Sequence, residues 1–235
     1  MLSKEELYAL QEAVLLRLQK LPNSPLSVAK LCGGTALARC WLDHRVSFDL
    51  DFFFPVGFDA GQLAKKLKQT GIVFDVKGIV DDPKKANQLH GFIRHDGQLL
   101  NVSFVEDAYF EVFPAVSHAF GAALVRTEEV PGLYHRKLRT VSGAASEGEV
   151  VVGGRQKARD LFDLYVLSHR HQPIRKFIAS LPYVFPSDAF DNGLASMPWF
   201  DLMDELSEIA CNRRWVKAKD IGFLQSALLQ QIGAT

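Results

Sequence analysis

The stretch that decides the fold is residues 33–54, GGTALARCWLDHRVSFDLDFFF. A short apolar segment over 28–32 predicts a strand before it, and residues 35–44 predict a helix whose start Thr35 can cap. The alternation of residue types over 46–54 predicts a second strand. The apolar face of that strand consists of Phe48, Leu50, Phe52 and Phe54. A strand, a glycine pair, a helix and a strand are therefore expected in close succession.

Two aspartates, Asp49 and Asp51, stand on the other face of the second predicted strand. A period of two puts both carboxylates on one face, about 7 Å apart along the chain at ~3.3 Å per residue. Like charges this close are costly unless a cation neutralises them. Mg²⁺ accepts one or two carboxylates and takes its other ligands from water and substrate phosphate. The pair predicts a site for Mg²⁺ or Mn²⁺, although a solvated strand face that carries two aspartates gives the same pattern.

The glycine pair, Gly33 and Gly34, lies between the first predicted strand and the predicted helix. Glycines at this point let a phosphate approach the backbone, and a helix N-terminus supplies N–H groups and the positive end of a dipole. An ordinary turn that closes a strand gives the same pair. The combination with carboxylates on the next strand favours a phosphate and metal site. Arg45 and Ser47 lie between the two features and are expected at the edge of the same cleft.

The whole stretch resembles the signature of the AbiEii/AbiGii toxin group of nucleotidyltransferases, within the DNA polymerase β-like superfamily. The matching residues are Gly33, Gly34, Thr35, Ala36, Leu37, His44, Arg45, Ser47, Asp49 and Asp51. The resemblance implies an α+β fold. A nucleotidyltransferase-type mixed β-sheet domain with flanking helices would occupy 1–125, and a mostly helical domain over 126–235 would complete the cleft.

The second half supports the resemblance, because the family places a lysine on one helix and an aspartate on a following helix in the site. LYHRKLRT supplies Lys137, and RQKARDLFDLYVL supplies Lys157 and Asp160. The stretch 143–154, rich in glycine, alanine and serine, predicts a flexible connection between the two helices. Asp163, one turn after Asp160, is expected as an orienting partner. The alternative is that Lys157–Asp160 and Arg159–Asp163 form only surface ion pairs.

The function that the resemblance implies is transfer of a nucleoside monophosphate from an NTP to an acceptor hydroxyl. The acceptor would be RNA, with the 3′ end of tRNA as one candidate, or a protein. The protein would be a Mg²⁺-dependent toxin of a toxin–antitoxin pair, with a cognate antitoxin as a partner. The predicted catalytic residues are Asp49, Asp51, Lys137 and Asp160. The predicted nucleotide-binding residues are Gly33, Gly34, Thr35, Arg45, Ser47 and Lys157.

One departure keeps other functions open. Polymerase β-like enzymes commonly carry a third carboxylate on a neighbouring strand, and the candidate strand LLNVSFVED has Asn101 and Ser103 there instead, with Glu106 and Asp107 just beyond. A catalytically degenerate module that binds RNA or a protein partner is therefore the alternative. The same Asp-x-Asp pattern also occurs in metal-dependent glycosyltransferases and phosphohydrolases. A dehalogenase-type phosphatase is disfavoured, because it would require threonine or valine two residues after the second aspartate.

The composition limits partners and compartment. The 27 basic residues balance the 27 acidic ones, so any contact with nucleic acid must come from a local patch. No apolar run reaches the roughly 18 residues that a membrane-spanning helix needs, and the N-terminus lacks the pattern of a secretory signal. The 3 cysteines neither form a disulfide framework nor match a zinc motif. These features predict a cytoplasmic protein with no membrane partner.

Overall fold

The structure is a computed structural model that describes residues 2–81, 85–142 and 155–233. The chain divides into two compact units, Met1–Leu133 and Tyr134–Thr235. The flexible connection predicted over 143–154 lies outside the described residues.

The first unit is built on a β-sheet. Its strands are β1 (Lys30–Cys32), β2 (Leu50–Phe54), β3 (Phe74–Val80), β4 (Gln88–His95), β5 (Gln98–Glu106), β6 (Ala115–Phe120) and β7 (Ala123–Glu128). Its helices are α1 (Lys4–Gln19), α2 (Gly33–Ala36) and α3 (Ala60–Gln69), with a 3₁₀ turn at Pro25–Ser27 and a π-helical continuation of α2 over Leu37–Leu42. The long helix α4 (Val130–Ser142) begins in the first unit and ends in the second.

Among the described residues, the strands form one mixed sheet in the order β3-β4-β5-β2-β1-β7-β6. The pairs β2–β5 and β1–β7 are parallel, and the other neighbouring pairs are antiparallel. The strand that carries the aspartates, β2, is therefore central, between β1 and β5. The α+β fold with a mixed sheet, predicted from the sequence, is confirmed.

Local sequence signals explain the elements around the sheet. Ser3 caps α1 in a capping box with Glu6, as its spacing predicts. The apolar stripe of α1 is buried, and α1 lies against β4, β5 and β7. On β2, Phe52 is buried and stacks on Phe104 of β5 with ring centroids 5.6 Å apart. This packing fixes the register of the strand that positions the aspartates, because a slip of one residue would turn every side chain to the other face.

Three expectations about this unit are wrong in detail. The second strand begins at Leu50 rather than at residue 46, and Phe48 is 47% exposed instead of buried, because it precedes the ladder that sets the inward face. Thr35 does not cap a helix, since the helix starts at Gly33 and the Thr35 hydroxyl donates to the backbone carbonyl of Asp49. The β6–β7 hairpin was not predicted at all, because its residues lack a clear apolar alternation.

The second unit is helical. After α4 it contains α5 (Ala158–Arg170), α6 (Ile174–Ala179), α7 (Ser187–Ala195), α8 (Met203–Ser207) and α9 (Ile221–Ile232), with 3₁₀ turns at Trp199–Leu202 and Arg213–Lys219. Its central element is α5, which is buried from Asp160 to Ser168 and lies against α8 and α9. No helix in the described ranges combines the length and the apolar character needed to cross a bilayer.

Candidate active site

The side chains of Asp49 and Asp51 both form hydrogen bonds with residues of β5. The Asn101 Nδ2 donates to Asp49 Oδ1 at 3.1 Å, and the Ser103 hydroxyl donates to Asp51 Oδ1. Asn101 and Ser103 are two residues apart on one strand and so share a face. The two carboxylates therefore lie over the same face of the sheet. Both are only partly buried, so both remain accessible to a ligand.

The glycine pair lies directly beside these carboxylates. Gly33 has a φ of +69°, a conformation that favours glycine, and a Cβ at this residue would lie 2.6 Å from Asp51 Oδ2. A Cβ at Gly34 would overlap the Arg45 guanidinium and lie 2.9 Å from Ser47 Oγ. The bare backbone of the pair thus lies between a carboxylate on one side and a guanidinium and a hydroxyl on the other. The N–H groups at the start of the helical segment 33–42 are of the kind that suits an anion.

The loop that carries Arg45 and Ser47 is fixed from behind. The Arg45 Nη1 donates to the carbonyl of Val46 at 3.0 Å, and the fully buried Gln11 of α1 donates to the carbonyl of Ser47 at 2.8 Å. Gln11 in turn accepts from Arg39 Nη1 at 3.1 Å. This chain of hydrogen bonds ties the loop to α1, so the positions of Arg45 and Ser47 depend on the packing of that helix.

The acidic residues at the end of β5, Glu106 and Asp107, lie three or more positions along the chain from the Ser103 that meets Asp51. Glu106 is opposite Phe54 in the β2–β5 ladder, three positions from the Asp51–Ser103 pair, which is about 10 Å along the strands at ~3.3 Å per residue. Its carboxylate accepts from the backbone N–H groups of Gly57 at 2.6 Å and Asn87 at 3.0 Å. Asp107 is buried and accepts from the N–H of Tyr109 at 3.0 Å. Neutral Asn101 and Ser103 therefore occupy the positions beside the aspartates.

The donor set fits Mg²⁺ or Mn²⁺ as two carboxylates whose remaining ligands come from water and substrate. Within the described residues, no group of three or more histidine, cysteine, aspartate or glutamate side chains forms a metal-binding cluster. Mg²⁺ is commonly held by one or two carboxylates together with substrate phosphate. At Gly33 the Asp51 carboxylate lies directly against the backbone, since a Cβ there would be only 2.6 Å from Asp51 Oδ2.

A second charged cluster lies in the helical unit. Lys137 Nζ lies 2.5 Å from Asp160 Oδ1 and 2.7 Å from Asp163 Oδ2, with the lysine side chain 5% exposed and both aspartates fully buried. Arg155 donates two hydrogen bonds to Asp160, from Nε to Oδ2 at 2.7 Å and from Nη2 to Oδ1 at 2.9 Å. Both aspartates are buried, which contradicts the alternative of surface ion pairs considered from the sequence, whereas the Arg155 side chain is half exposed. Asp163 contacts the lysine directly.

The pKa of Asp160 reflects this environment. Burial opposes ionisation, but the charge of Lys137 and the hydrogen bonds and charge of Arg155 outweigh it and hold the pKa below its usual value. Asp160 is thus an ionised carboxylate within a buried network. Lys157, a predicted nucleotide-binding residue, is the exposed residue that precedes α5, with an extended backbone at φ −132°. It does not share a helical face with Asp160, because the helix begins one residue later.

Each unit thus gathers its own share of the residues predicted from the sequence. The first unit brings together Gly33, Gly34, Thr35, Arg45, Ser47, Asp49 and Asp51. The second brings together Lys137, Asp160 and Asp163. Arg155 was missed by sequence reasoning. Its role depends on the burial of Asp160 and Asp163 beside one lysine, which spacing along the chain does not show.

Comparisons with known proteins identify a family and a fold. The family model described as "Nucleotidyl transferase AbiEii toxin, Type IV TA system" matches residues 29–220. The crystal structure of JHP933 from Helicobacter pylori matches with a TM-score of 0.50 and 18% identity, over 99% of this chain and 93% of that one. A second crystal structure, of a proposed nucleotidyltransferase from H. pylori, matches with a TM-score of 0.52 and 18% identity, over 98% and 96%. No curated protein matches the chain.

Proposed function

The chain belongs to the AbiEii nucleotidyltransferase toxin family, and on that premise we propose that it transfers a nucleoside monophosphate from an NTP to an acceptor hydroxyl of RNA. In this reaction the acceptor oxygen forms a bond to the α-phosphorus while the bond to pyrophosphate breaks. Pyrophosphate and the hydroxyl proton are released. The 3′ end of tRNA is the proposed acceptor, and the reaction is proposed to occur in the cytoplasm. An antitoxin partner follows from the type IV toxin–antitoxin classification of the family.

The observation that carries the proposal is the placement of Asp51 against the bare backbone of Gly33. A phosphate that approaches the glycine pair would meet the carboxylates of Asp49 and Asp51 on one side and Arg45 on the other. Asp49 and Asp51 would hold Mg²⁺ or Mn²⁺, which would neutralise charge on the triphosphate and on the reacting phosphorus. Arg45 would pair with phosphate oxygens, for which its planar guanidinium is suited. Thr35 would act indirectly, because its hydroxyl holds the backbone of Asp49.

Lys137 and Asp160 are proposed to act in the same reaction. Lys137 would supply positive charge to the triphosphate. Asp160 would orient Lys137, since Lys137 Nζ and Asp160 Oδ1 are 2.5 Å apart. Arg155 and Asp163 would hold this pair in its orientation, because each contacts one of its members. Lys157, the exposed residue before α5, is proposed only as a contact for the nucleotide.

The test of the proposed function is incubation of the purified protein with each α-labelled NTP in turn, Mg²⁺ and total RNA. We expect one nucleotide to label RNA of tRNA size, with release of pyrophosphate and loss of labelling in EDTA. Labelled protein in place of RNA would contradict the proposal that RNA is the acceptor. Absence of label with every nucleotide would contradict the transfer reaction.

A second candidate function rests on Asn101 and Ser103. Because neutral groups occupy the positions beside the two aspartates, a module that binds NTP or RNA without turnover has the same fold and the same glycine pair. The two candidates differ in one measurement. The binding module would bind NTP in a metal-dependent titration but release no pyrophosphate. The enzyme would bind NTP and release pyrophosphate.

Replacement of Gly34 by alanine is expected to weaken NTP binding by about tenfold or more, equivalent to ~1.4 kcal/mol, with little change in melting temperature. The added Cβ would overlap the end of the Arg45 side chain and would thereby displace the guanidinium from the glycine pair. The measurement is an NTP titration alongside thermal unfolding. Gly78→Ala is the matched control, because a Cβ there meets nothing within 4 Å. Unchanged affinity together with a large loss of melting temperature would identify the pair as an ordinary turn.

A further inference from the structure

A groove lies between α3 and β3, away from the aspartate pair. We call it the α3–β3 groove; it is bounded by Ala64, Lys65 and Lys68 on the helix and by residues 71–76 on the turn and strand. Its volume is about 670 Å³. β3 is the outermost strand on this side of the sheet, with β4 as its neighbour among the described strands. The groove therefore runs along a strand edge.

The hydrogen-bond pattern shows which backbone groups face this edge. The Val73 carbonyl accepts from the N–H of Arg94 at 3.0 Å, so Val73 forms a hydrogen-bonded pair with β4. Such pairs alternate along an antiparallel ladder, so Asp75 also bonds to β4, whereas the N–H and C=O of Phe74 and Val76 point outward. An added strand can bond to these outward groups in the same way that β4 bonds to the others.

Apolar side chains accompany the open edge. Val73 is 56% exposed and Val76 is 43% exposed, although both belong to the lining of the groove. Sheet edges that must stay unpaired are usually protected by charges, prolines or bulges. The bulge in β3 comes only after Val76, so the segment before it stays regular. Before the bulge the strand carries one charged residue, Asp75, whose carboxylate is paired with Lys77, so this edge is only lightly protected and can pair with another strand.

The charges around the groove are mainly positive. Lys65 and Lys68 line it from the helix and are exposed. Arg17 lies at the turn, where its Nη2 donates to the carbonyl of Gly71 at 2.9 Å. The acidic residue in the lining, Asp75, is paired with Lys77 at 2.9 Å. The groove consequently favours carboxylates along its helical side.

We propose that the α3–β3 groove binds an extended segment of a partner protein, rich in apolar and acidic residues, which pairs with β3 as an added strand. Main-chain hydrogen bonds to Phe74 and Val76 would supply affinity, and alternate side chains would enter the groove and supply specificity. Carboxylates of the segment would pair with Lys65 and Lys68. This surface is independent of the nucleotide chemistry, so a chain that fails to transfer nucleotides can still bind there.

The test is selection of random dodecapeptides displayed on phage against the purified full chain, followed by titration of the enriched peptides. We expect enriched peptides that alternate apolar and acidic residues. The double variant Lys65→Glu/Lys68→Glu and the single variant Val76→Pro are each expected to weaken binding at least tenfold. The first reverses the charge of the groove, and the second removes an outward N–H at an edge position that tolerates proline.

Lys176→Glu, an exposed lysine of the helical unit, is the matched control and should bind like the wild type. Melting temperatures show whether each variant is folded, and the charge variant gives the decisive result if the proline variant does not fold. Absence of enrichment, enriched basic peptides, or equal binding by the charge variant would overturn the proposal. A dimer in light scattering that dissociates in the charge variant would assign the groove to a second copy of this chain and would also overturn it.

Discussion

Replacement of Asp51 by asparagine is expected to lower nucleotidyl transfer by about 10³-fold or more while leaving the fold intact. The carboxylate is proposed to hold the cation that stabilises charge on the reacting phosphorus. Such stabilisation lowers the activation free energy by several kcal/mol, and each ~1.4 kcal/mol changes the rate by a factor of ten. Asparagine has the same shape and still accepts from the Ser103 hydroxyl, so local packing is preserved. The measurement is turnover at saturating NTP and Mg²⁺. Asp49→Asn is expected to behave in the same way.

The melting temperature of these variants separates the proposed role from a structural one. Without bound cation, loss of one of two nearby negative charges should leave the melting temperature unchanged or raise it. Asp96→Asn is the matched control, because Asp96 occupies an exposed turn with a φ of 47°, which asparagine tolerates. Its turnover should equal that of the wild type. Wild-type turnover in Asp51→Asn or Asp49→Asn would contradict the two-carboxylate site.

Replacement of Lys137 by methionine is expected to destabilise the protein by about 3–5 kcal/mol. The change leaves Asp160 and Asp163 buried without the cation that contacts both, and loss of one partner of a buried ion pair costs this much. The measurement is unfolding in urea. Lys176→Met, at an exposed position, is the control and should change the free energy of unfolding by no more than about 0.5 kcal/mol.

A partial rescue distinguishes the buried network from a single contact. The double variant Lys137→Met/Asp163→Asn removes one of the two uncompensated charges, while Arg155 still pairs with Asp160. It should therefore be more stable than Lys137→Met alone. Transfer by the folded fraction should remain low in both variants if Lys137 supplies charge to the triphosphate. A double variant that is less stable than the single one, by the sum of two separate losses, would contradict a shared network.

The pH dependence of stability follows from the lowered pKa of Asp160. The unfolded carboxyl, with its ordinary pKa of 3.8, takes up a proton at a higher pH than the folded one. The contribution of Asp160 is therefore fully present above pH 3.8 and is lost as the pH falls through the folded pKa. Asp160→Asn lacks this contribution, so the difference in unfolding free energy between wild type and variant should narrow below about pH 4. A constant difference down to pH 2 would contradict the assignment.

The sequence predicts that the glycine pair and the two aspartates lie close together, because the information there is local. Gly33, Gly34, Asp49 and Asp51 lie within nineteen residues of one another, and the strands on either side carry clear apolar patterns. The capping box of α1 and the β4–β5 hairpin around Asp96 also rest on residues that are close in sequence. Where the residues that decide a structure are close in sequence, their spacing carries the prediction.

What the sequence does not predict depends on distant partners. Phe48 has the apolar character of its neighbours, but no pairing partner draws it inward, so it stays exposed. The hydroxyl of Thr35 could cap a helix, but the carbonyl of Asp49, fourteen residues away, receives it instead. Arg155 completes the charge balance of a network whose burial becomes visible only once α4 and α5 are packed. Each case needs the tertiary contact, which spacing along the chain does not encode.

The parallel pairing of β2 with β5 has a consequence for the newly synthesised chain. Asp51 meets its partner Ser103 only when the residue 52 positions further on has been made. At roughly 5–20 residues per second this takes about 3–10 s. During that interval β5 has not been made, so Asp49 and Asp51 lack their hydrogen-bond partners Asn101 and Ser103. A ribosome that pauses before β5 thus carries the signature residues of a toxin without an assembled site, so the order of synthesis delays activity until the sheet closes.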